Sequence, residues 1–283
     1  MIVRDELQRA KRDFRAAGYL DVDAELLLAH LLGLARMDLH SSVRVEEALL
    51  GFENLTDLQE DFHSACLRRL SGEPVQYITG TAYFCNLTLE VGPGVLIPRP
   101  ETELLVEKIL THLRSFPQPA SVIDLGAGSG AIALAIATAI PSAHVIAVEN
   151  DPGALIWLRK NCESLDAEVR IVAESVLTAL HGVKADLVVA NPPYIPDDQE
   201  LPGDVANYEP HSALFGGADG MQIPRIFIAA AARLLKSDGL FVIEHGETQG
   251  EEIARVMGED FVEIKLHHDL NDRPRWTSAQ RNR

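Results

Sequence analysis

Apolar residues recur at helical spacing through the first 72 positions of the chain. Residues 23–33 combine acidic positions, a run of leucines and a closing glycine, which predicts a capped helix that ends at the glycine. Residues 56–59, Thr-Asp-Leu-Gln, fit a capping box, and the helix that they begin is expected to run towards Arg69. Residues 1–72 are therefore predicted to form a small helical bundle.

The next segment, residues 73–98, has a different pattern, in which short β-prone runs are separated by glycines. The pattern predicts a connecting β-hairpin that joins two domains. The β-prone runs lie at residues 76–78, 83–84 and 87–91.

From residue 99 to residue 283, short apolar runs alternate with longer amphipathic segments. This alternation predicts an α/β domain, Rossmann-like, with a mostly parallel sheet and helices on both faces. Strands are predicted at residues 121–125, 144–149, 169–173, 185–190, 239–245 and 261–267. Helices are predicted at residues 101–115, 130–139, 152–165, 222–236 and 247–257.

The composition is ordinary for a globular protein, with 47% apolar and 24% charged residues and no apolar stretch near 18 residues. The first residues lack the apolar core of a signal peptide, so a cytoplasmic enzyme is expected. Cys66, Cys85 and Cys162 are too scattered for a metal cluster and are expected to be reduced thiols. His267 and His268 lack further ligands, and no metal site is expected.

The formal net charge of −17 bears on the possible partners. Affinity for nucleic acid comes largely from clustered lysine and arginine, so direct binding of nucleic acid is not expected. The early basic residues Arg9, Lys11, Arg12 and Arg15 are expected to form a solvated helix face. Membrane contact is not expected either, and the chain is expected to be a monomer.

A glycine-rich turn, Gly-Ala-Gly-Ser-Gly at residues 126–130, follows the first predicted strand of the α/β domain and opens a helix. Glycines let the backbone bend tightly and let a ligand approach a helix N-terminus closely. A carboxylate at the end of the next strand can accept hydrogen bonds from both hydroxyls of a ribose. The candidate cofactor-binding residues are Asp124, Gly126, Ala127, Gly128, Ser129, Gly130 and Glu149.

A second candidate site is Asn191-Pro192-Pro193-Tyr194, which follows a predicted buried strand. Two prolines fix φ and remove two backbone donors, so the carbonyls around them stay free to accept hydrogen bonds. Asn191 Oδ1 and the Pro192 carbonyl are expected to accept both N–H bonds of a planar –NH2 group, and Tyr194 is expected to pack against that group. Asn191, Pro192 and Tyr194 are thus candidate catalytic residues, which act by alignment and electrostatics without a strong general base.

Two cofactors fit the glycine turn taken alone. The turn satisfies the looser dinucleotide pattern G-x-G-x-x-G/A, so an NAD enzyme is a competitor. S-adenosylmethionine is favoured because Asp124 is placed to reach its ammonium group. The Asn-Pro-Pro-Tyr loop also follows a later strand, at the edge where open α/β sheets bind ligands, and a dinucleotide enzyme has no evident use for that loop.

These motifs resemble the protein-(glutamine-N5) methyltransferases that act on peptide chain release factors, and the likeness spans nearly the whole chain. The tetrapeptide is shared with DNA adenine methyltransferases and is only moderately specific. Residues 97–103, Ile-Pro-Arg-Pro-Glu-Thr-Glu, make the match highly specific. Further matching segments lie at residues 23–30, 74–80, 209–210, 213–217, 219–220 and 269–275.

The resemblance implies an S-adenosylmethionine-dependent enzyme whose substrate is the glutamine of the Gly-Gly-Gln loop in class 1 peptide chain release factors. It also implies that residues 1–72 help to dock this protein partner, and that residues 99–283 form the methyltransferase domain. By the same likeness Asn191, Ser175 and Val176 join the cofactor-binding set. The implied substrate-binding residues are Asn191, Pro192, Pro193, Tyr194, Phe84 and Arg99.

Other activities stay open from the sequence alone. The acceptor is alternatively another protein glutamine, such as one in a ribosomal protein, or an exocyclic amine of DNA or RNA, which should bring a basic groove. A cofactor-binding regulatory module without turnover is a further alternative. Outside the motifs, His245 is expected to be a packed or solvated side chain, and Trp157 and Trp276 are expected to be packing residues. Glu209 and Asp219 are expected to order the loop after the tetrapeptide.

Overall fold

Helical apolar spacing at the start of the chain and strand–helix alternation after it give two structural units. The structure, a computed structural model, describes residues 2–116 and 119–283. Among these, residues 2–81 and Pro202–Tyr208 form the first unit. The second unit contains Ala82–Leu201 and Glu209–Arg283.

The first unit is built from helices, as the apolar spacing predicts. They are α1 (Ile2–Ala16), α2 (Asp21–Leu31), α3 (Ser42–Leu49), α4 (Leu55–Leu70) and α5 (Val75–Thr79), with a 3-10 turn at Arg36–His40. Phe14 and Leu27 are buried at the centre of this bundle. Arg69 lies in the same core, where its Nε donates to Asp23 at 2.7 Å and its guanidinium carbon lies 3.9 Å from the centroid of the Tyr19 ring. A buried charge is costly without a partner, so this pair joins α4 to α2.

The caps of two helices differ from the predictions. α2 has no side-chain cap, so the capped start expected at residue 23 is wrong, and Asp23 binds Arg69 instead. α4 is capped by Asn54 rather than Thr56, since Asn54 Oδ1 accepts from Thr56 N at 3.0 Å. Asparagine has the same capping chemistry as threonine and occurs two positions earlier, so the helix begins earlier.

The segment at residues 73–98 contains one short helix and one hairpin. Residues 76–78, predicted as a β-prone run, lie in helix α5 instead, which Pro74 precedes as N-cap and Gly80 ends at φ 71°. The hairpin itself is present, with β1 (Thr81–Phe84) paired to β2 (Leu87–Glu90). The role of this segment as a linker stays a prediction.

The second unit contains the predicted alternation of strands and helices. Its first helices are α6 (Pro100–Ser115), α7 (Ala131–Ala139) and α8 (Pro152–Ser164). After α9 (Gly203–Ala206), which belongs to the first unit, follow α10 (Gln222–Leu234) and α11 (Gly250–Met257), with 3-10 turns at His211–Ala213 and Gly258–Asp260. The strands are β3 (Ser121–Leu125), β4 (His144–Val148), β5 (Val169–Val172), β6 (Ala185–Ala190), β7 (Leu235–Glu244), β8 (Phe261–His268) and β9 (Pro274–Arg281).

These strands form one seven-stranded sheet in the order β5-β4-β3-β6-β7-β9-β8. The pairs from β5 to β7 are parallel, and β9 is antiparallel to both of its neighbours. Leu125 at the end of β3 is in register with Val148 of β4 and with Ala190 of β6. The residues that follow these three strands therefore emerge side by side at the carboxyl edge of the sheet, and the candidate motifs lie among them.

Both faces of the sheet are buried, as expected for a parallel sheet covered by helices. Val122, Leu187 and Val242 lie in an apolar cluster with residues of α6, α7 and α8. The neighbouring positions Ile123 and Phe241 lie in a second cluster with residues of α10 and α11. The alternation along each strand thus divides the core between two helical layers.

The segment Pro202–Tyr208 leaves the second unit and belongs to the first. The Tyr208 hydroxyl donates to Ser71 O at 3.2 Å, and Asp204 lies 3.8 Å from Arg69. The chain after the candidate tetrapeptide therefore contributes seven residues to the helical unit before it returns to the sheet at Glu209.

Two strand predictions in the second unit are incomplete. β9 was not predicted, and β7 begins at Leu235, directly after α10, rather than at residue 239. The additional residues at the start of β7 pair with β6 through a register shift between Ala185 and Leu187. No helix in the described part of the chain is long and apolar enough to span a bilayer.

Candidate active site

The glycine turn between β3 and α7 has a conformation that needs glycine. Gly126, Gly128 and Gly130 have φ of 68°, 57° and 87°. A Cβ at Gly126 would lie 3.0 Å from the Phe227 ring, and one at Gly130 would lie 2.6 Å from Leu158 Cδ1. The turn therefore requires glycine both for backbone conformation and for close packing under α7.

Glu149 closes β4 next to this turn and is buried. Its Oε2 accepts from Gly128 N at 2.8 Å, and its Oε1 accepts from Asn150 N at 2.7 Å and Asp151 N at 2.8 Å. Three backbone donors thus fix the position of the carboxylate. A carboxylate offers about four lone-pair sites, so Glu149 retains capacity for a ligand hydroxyl.

Asp124 is more deeply buried than the sequence suggests, at 1% exposure. Its Oδ2 accepts from Ala133 N at 3.0 Å, at the start of α7. Its Oδ1 has no hydrogen-bond partner among the described residues. Burial raises the pKa of Asp124 to about 7, the bond from Ala133 opposes this, and the nearby Glu149 charge adds to it.

Asn191 begins the tetrapeptide directly after β6 and is held by side chains from two other elements. Its Nδ2 donates to Thr102 Oγ1 at 3.4 Å. The Thr102 hydroxyl donates to Glu244 Oε2 at 2.6 Å, and the Tyr194 hydroxyl donates to Glu244 Oε1 at 3.4 Å. Both ends of the tetrapeptide therefore connect to one buried carboxylate at the end of β7.

The backbone after the tetrapeptide is covered by a second loop, at residues 214–220. Gln249 Nε2 donates to Tyr194 O at 2.9 Å, and Gly216 N donates to Ile195 O at 2.8 Å. Gly216 also packs directly on the Pro193 carbonyl oxygen, because a Cβ there would lie 2.7 Å from it. Among the described residues, no donor binds the Pro192 carbonyl oxygen or Asn191 Oδ1, and of these two residues Asn191 lines the cavity.

Arg99 and Glu209 form an ion pair beside the site. Arg99 Nη2 lies 2.6 Å from Glu209 Oε1, and Ile97 N donates to Glu209 Oε2 at 3.1 Å. Glu209 is buried, with 4% exposure. Arg99 precedes Pro100, the first residue of α6, but its side chain does not cap that helix. Glu209 therefore binds the segment at residues 97–99, whereas the sequence predicts that it orders the loop after the tetrapeptide.

A cavity of about 670 Å³ lies where these elements meet, within the size range of small-molecule sites. Of the predicted site residues, those that line it are Phe84, Arg99, Gly126, Ala127, Gly128, Ser129, Glu149, Ser175, Val176, Asn191 and Pro193. Four predicted residues are not part of the lining: Asp124, Gly130, Pro192 and Tyr194. For Asp124, direct contact with a ligand in the cavity is thus not supported, because its carboxylate points towards the start of α7.

The sequence interpretation missed Thr102 and Glu244. Thr102 lines the cavity, and Glu244 lies behind it at 3% exposure. Thr102 belongs to the segment at residues 97–103 that carries the resemblance, and Glu244 ends the strand next to β6. For Glu244, its position at the carboxyl end of a strand is the signal that would have found it, and for Thr102 the signal is its place in the segment at residues 97–103.

The residues expected to be structural have structural contacts. His245 is fully buried, with Nδ1 2.8 Å from Gly246 O and Nε2 2.9 Å from Thr277 Oγ1, and burial lowers its pKa. Asp219 accepts from Met221 N at 2.9 Å and therefore orders its own loop. The three cysteines are free thiols. Within the described residues no group of three His, Cys, Asp or Glu side chains is placed to hold a metal.

Comparison with known proteins identifies the family. Residues 5–80 match the family model of the PrmC N-terminal domain, and residues 100–206 match that of the methyltransferase small domain. A release factor glutamine methyltransferase of Mycolicibacterium smegmatis is 42% identical over 99% of this chain and 98% of its own length. The chain belongs to the release factor glutamine methyltransferase family. The corresponding enzymes of Bifidobacterium longum and Streptomyces coelicolor are 38% and 39% identical over 99% and 92% of this chain, and over 99% and 90% of their own lengths.

Solved structures agree with the methyltransferase fold of this family member. A Thermus thermophilus 16S rRNA methyltransferase in complex with AdoMet and guanosine gives a TM-score of 0.53 at 20% identity, over 71% of this chain and 50% of that chain. A methyltransferase from Pyrococcus furiosus gives 0.50 at 16% identity, over 69% of this chain and 89% of that chain. At these identities the likeness concerns the fold alone.

The residues present fit S-adenosylmethionine, the cofactor of the methyltransferase domain. The space above Gly128 is open, since a Cβ there would meet no atom within 4 Å. Glu149 keeps an acceptor for a ribose, and the buried Oδ1 of Asp124 behind the turn has no partner among the described residues. An acidic site suits a ligand that carries a sulfonium and an ammonium group. This family member is therefore an S-adenosylmethionine-dependent methyltransferase.

Proposed function

We propose that the protein transfers a methyl group from S-adenosylmethionine to the side-chain amide nitrogen, N5, of a glutamine in class 1 peptide chain release factors. The glutamine is that of the Gly-Gly-Gln loop. The relatives described above are named as release factor glutamine methyltransferases. The observation that supports the proposal is a pair of acceptors without a protein donor, Asn191 Oδ1 and the Pro192 carbonyl, on the loop that follows β6 beside the cavity.

The cofactor contacts are assigned by position around the cavity. The backbone at Gly126 to Gly128 and the Glu149 carboxylate would hold the ribose and methionine portions, and Ser175 and Val176 would contact the adenine. Asp124 acts from behind the turn, where its Oδ2 accepts from Ala133 N and so positions the start of α7 next to the glycines. When bound, S-adenosylmethionine supplies an electrophilic methyl group on a positively charged sulfur.

The substrate amide needs positioning because its nitrogen is a poor nucleophile, with its lone pair delocalised into the carbonyl. Asn191 Oδ1 and the Pro192 carbonyl accept its two N–H bonds and so fix the plane and direction of the nitrogen. Tyr194 packs against the carboxamide, while Phe84 and Arg99 line the pocket. Fixed acceptors also favour the partial positive charge that develops on the nitrogen during transfer, without reorganisation of solvent.

The remaining assignments concern partners and location. Release factors act in translation, so the proposed location is the cytoplasm. The proposed active species is a monomer. Residues 1–72 are proposed to dock the release factor. The net charge of −17 supports a protein substrate over a nucleic acid, because phosphate contacts need clustered basic residues.

The test is methyl transfer from labelled S-adenosylmethionine in a mixture of purified release factor, ribosomal proteins and total RNA. Peptide mapping by mass spectrometry should place the label on the Gly-Gly-Gln glutamine of the release factor. A release factor with that glutamine replaced by alanine is the matched control and should remain unlabelled. Label confined to RNA or to a ribosomal protein would overturn the proposal.

A further inference from the structure

Two side chains behind Asn191 form a hydrogen-bonded chain that ends on a buried carboxylate. Asn191 Nδ2 lies 3.4 Å from Thr102 Oγ1, and Thr102 Oγ1 lies 2.6 Å from Glu244 Oε2. Thr102 and Glu244 are 4% and 3% exposed. Tyr194 reaches the other carboxylate oxygen at 3.4 Å. The chain comes from α6, β7 and the tetrapeptide, so no single element fixes it.

The direction of each hydrogen bond in this chain follows from the number of protons available. A threonine hydroxyl has one proton, and at 2.6 Å from an ionised carboxylate that proton is directed to Glu244. The Thr102 oxygen can then only accept on its other side. Asn191 must therefore turn its donor Nδ2 to Thr102, and its acceptor Oδ1 takes the opposite side of the amide.

We propose that Thr102 and Glu244 are positioning residues that set the orientation of the Asn191 amide and so present Oδ1, rather than Nδ2, to the substrate glutamine. The proposal rests on the function proposed above, in which Asn191 Oδ1 accepts from the substrate –NH2 group. A reversed Asn191 amide would place N–H donors against the donors of the substrate. It would also place Oδ1 against a Thr102 oxygen whose proton is already used.

The charged groups around Glu244 decide when this orientation holds. Burial and the Glu101 charge raise the pKa of Glu244, whereas Thr102, Arg275 and Tyr194 favour the ionised form. The net result is a pKa raised to about 7. A protonated Glu244 can donate to Thr102, whose own proton is then free to bind Asn191 Oδ1. The preference for one amide orientation is lost in that state, so methyl transfer should fall as the pH drops through the range near 7.

The variants separate this positioning role from packing. Thr102→Val keeps the shape and removes the hydroxyl, and kcat for the release factor should fall about tenfold, the value of one hydrogen bond of moderate strength. Thr102→Ser restores the hydroxyl and should return kcat to within about threefold of wild type. Thr277→Val, the matched control, removes another buried threonine hydroxyl, bound to His245, and should leave kcat unchanged.

Glu244→Gln tests the proton dependence. Glutamine can still accept from Thr102 but cannot titrate, so kcat at about pH 8 should stay within about threefold of wild type. In wild type, kcat should fall below about pH 7 as Glu244 takes up one proton, and this fall should be missing from the pH profile of Glu244→Gln. The Kd for S-adenosylmethionine, measured by calorimetry, should change less than kcat in Thr102→Val, because the glycine turn and Glu149 are unaltered.

The outcomes distinguish the two proposals. Wild-type protein that binds S-adenosylmethionine but labels no release factor overturns the proposed function and this inference with it. An active wild type with an equally active Thr102→Val, or a Thr102→Ser variant as impaired as Thr102→Val, overturns the positioning role alone. Should Thr102→Val fail to fold, the pH profile of Glu244→Gln decides, and a profile identical to that of wild type overturns the role.

Discussion

Gly216 stands beside the tetrapeptide at residues 191–194 in a place with no room for a side chain. A Cβ at this position would lie 2.5 Å from the Gly220 carbonyl oxygen and 2.7 Å from that of Pro193. Both neighbours are backbone atoms, which cannot rotate away as a flexible side chain can. Gly216 N also donates to Ile195 O at 2.8 Å, which holds the two segments together. Gly216→Ala should therefore displace the tetrapeptide rather than be absorbed locally.

The size of the effect follows from these distances. Ordinary contact begins at 3.4 Å, so the atoms must separate by about 0.7–0.9 Å. A misplacement of about 1 Å can cost about a hundredfold in rate, so kcat should fall roughly ten- to a hundredfold. Forcing a methyl group into a packed site costs about 1–3 kcal/mol, which corresponds to a fall in Tm of roughly 2–4 °C per kcal/mol for a domain of this size.

The assay compares Gly216→Ala with Gly203→Ala, the matched control in the segment at residues 202–208. At Gly203 the nearest atom to a new Cβ is Asn207 Nδ2 at 3.6 Å, which is ordinary contact. Single-turnover methylation of the release factor with saturating S-adenosylmethionine measures the transfer step, and thermal unfolding measures stability. A Gly216→Ala variant with wild-type kcat and Tm would refute the argument that Pro193 is fixed by this contact.

Substitutions at three other sites test the electrostatics. The pKa of Asp124 is raised to about 7 in the folded protein, so the folded state holds the proton more tightly than the unfolded state. The unfolding free energy of wild type relative to Asp124→Asn should therefore fall as the pH rises from about 4 to about 7 and then stay level. Urea unfolding at several pH values measures it. A difference in unfolding free energy between the two proteins that does not change with pH would contradict this. Glu209→Gln removes a buried charge from Arg99 and should cost about 1–3 kcal/mol in unfolding free energy, together with a higher KM for the release factor. Arg69→Met leaves the Asp23 carboxylate unpaired in the helical unit and should lower the unfolding free energy by about 3–5 kcal/mol, as measured by urea unfolding. The double variant with Asp23→Leu should recover part of this loss of stability.

Local sequence patterns predict most of the sheet and the cofactor edge. The apolar runs that became β3, β4 and β6 are short, uninterrupted and followed by glycine, glutamate and asparagine–proline, so the pattern and the chemistry agree. Once parallel strands are assumed, their carboxyl ends must meet at one edge, which brings Gly126, Glu149 and Asn191 together. The sequence alone therefore predicts that these three residues lie around one cavity.

The elements that were missed depend on contacts distant in sequence. β9 contains Thr277 and Ser278 at buried positions, and these hydroxyls are tolerated because they bind His245 and His267. Thr102 and Glu244 are 142 positions apart, so no spacing rule links them. The helix α5 replaced a predicted β-prone run because a preceding proline and a terminal glycine favour a helical turn there, against the preference of its tyrosine and isoleucine for strands.

The central claim is that a substrate carboxamide is held through both of its hydrogens by two fixed acceptors beside the methyl donor. A crystal structure with S-adenosylhomocysteine and a glutamine-containing release factor peptide tests it directly. The amide nitrogen of the substrate glutamine should lie within hydrogen-bond distance of both Asn191 Oδ1 and the Pro192 carbonyl oxygen, and Asn191 Nδ2 should point to Thr102. A glutamine bound elsewhere, or an Asn191 amide that directs Nδ2 at the substrate, would contradict it.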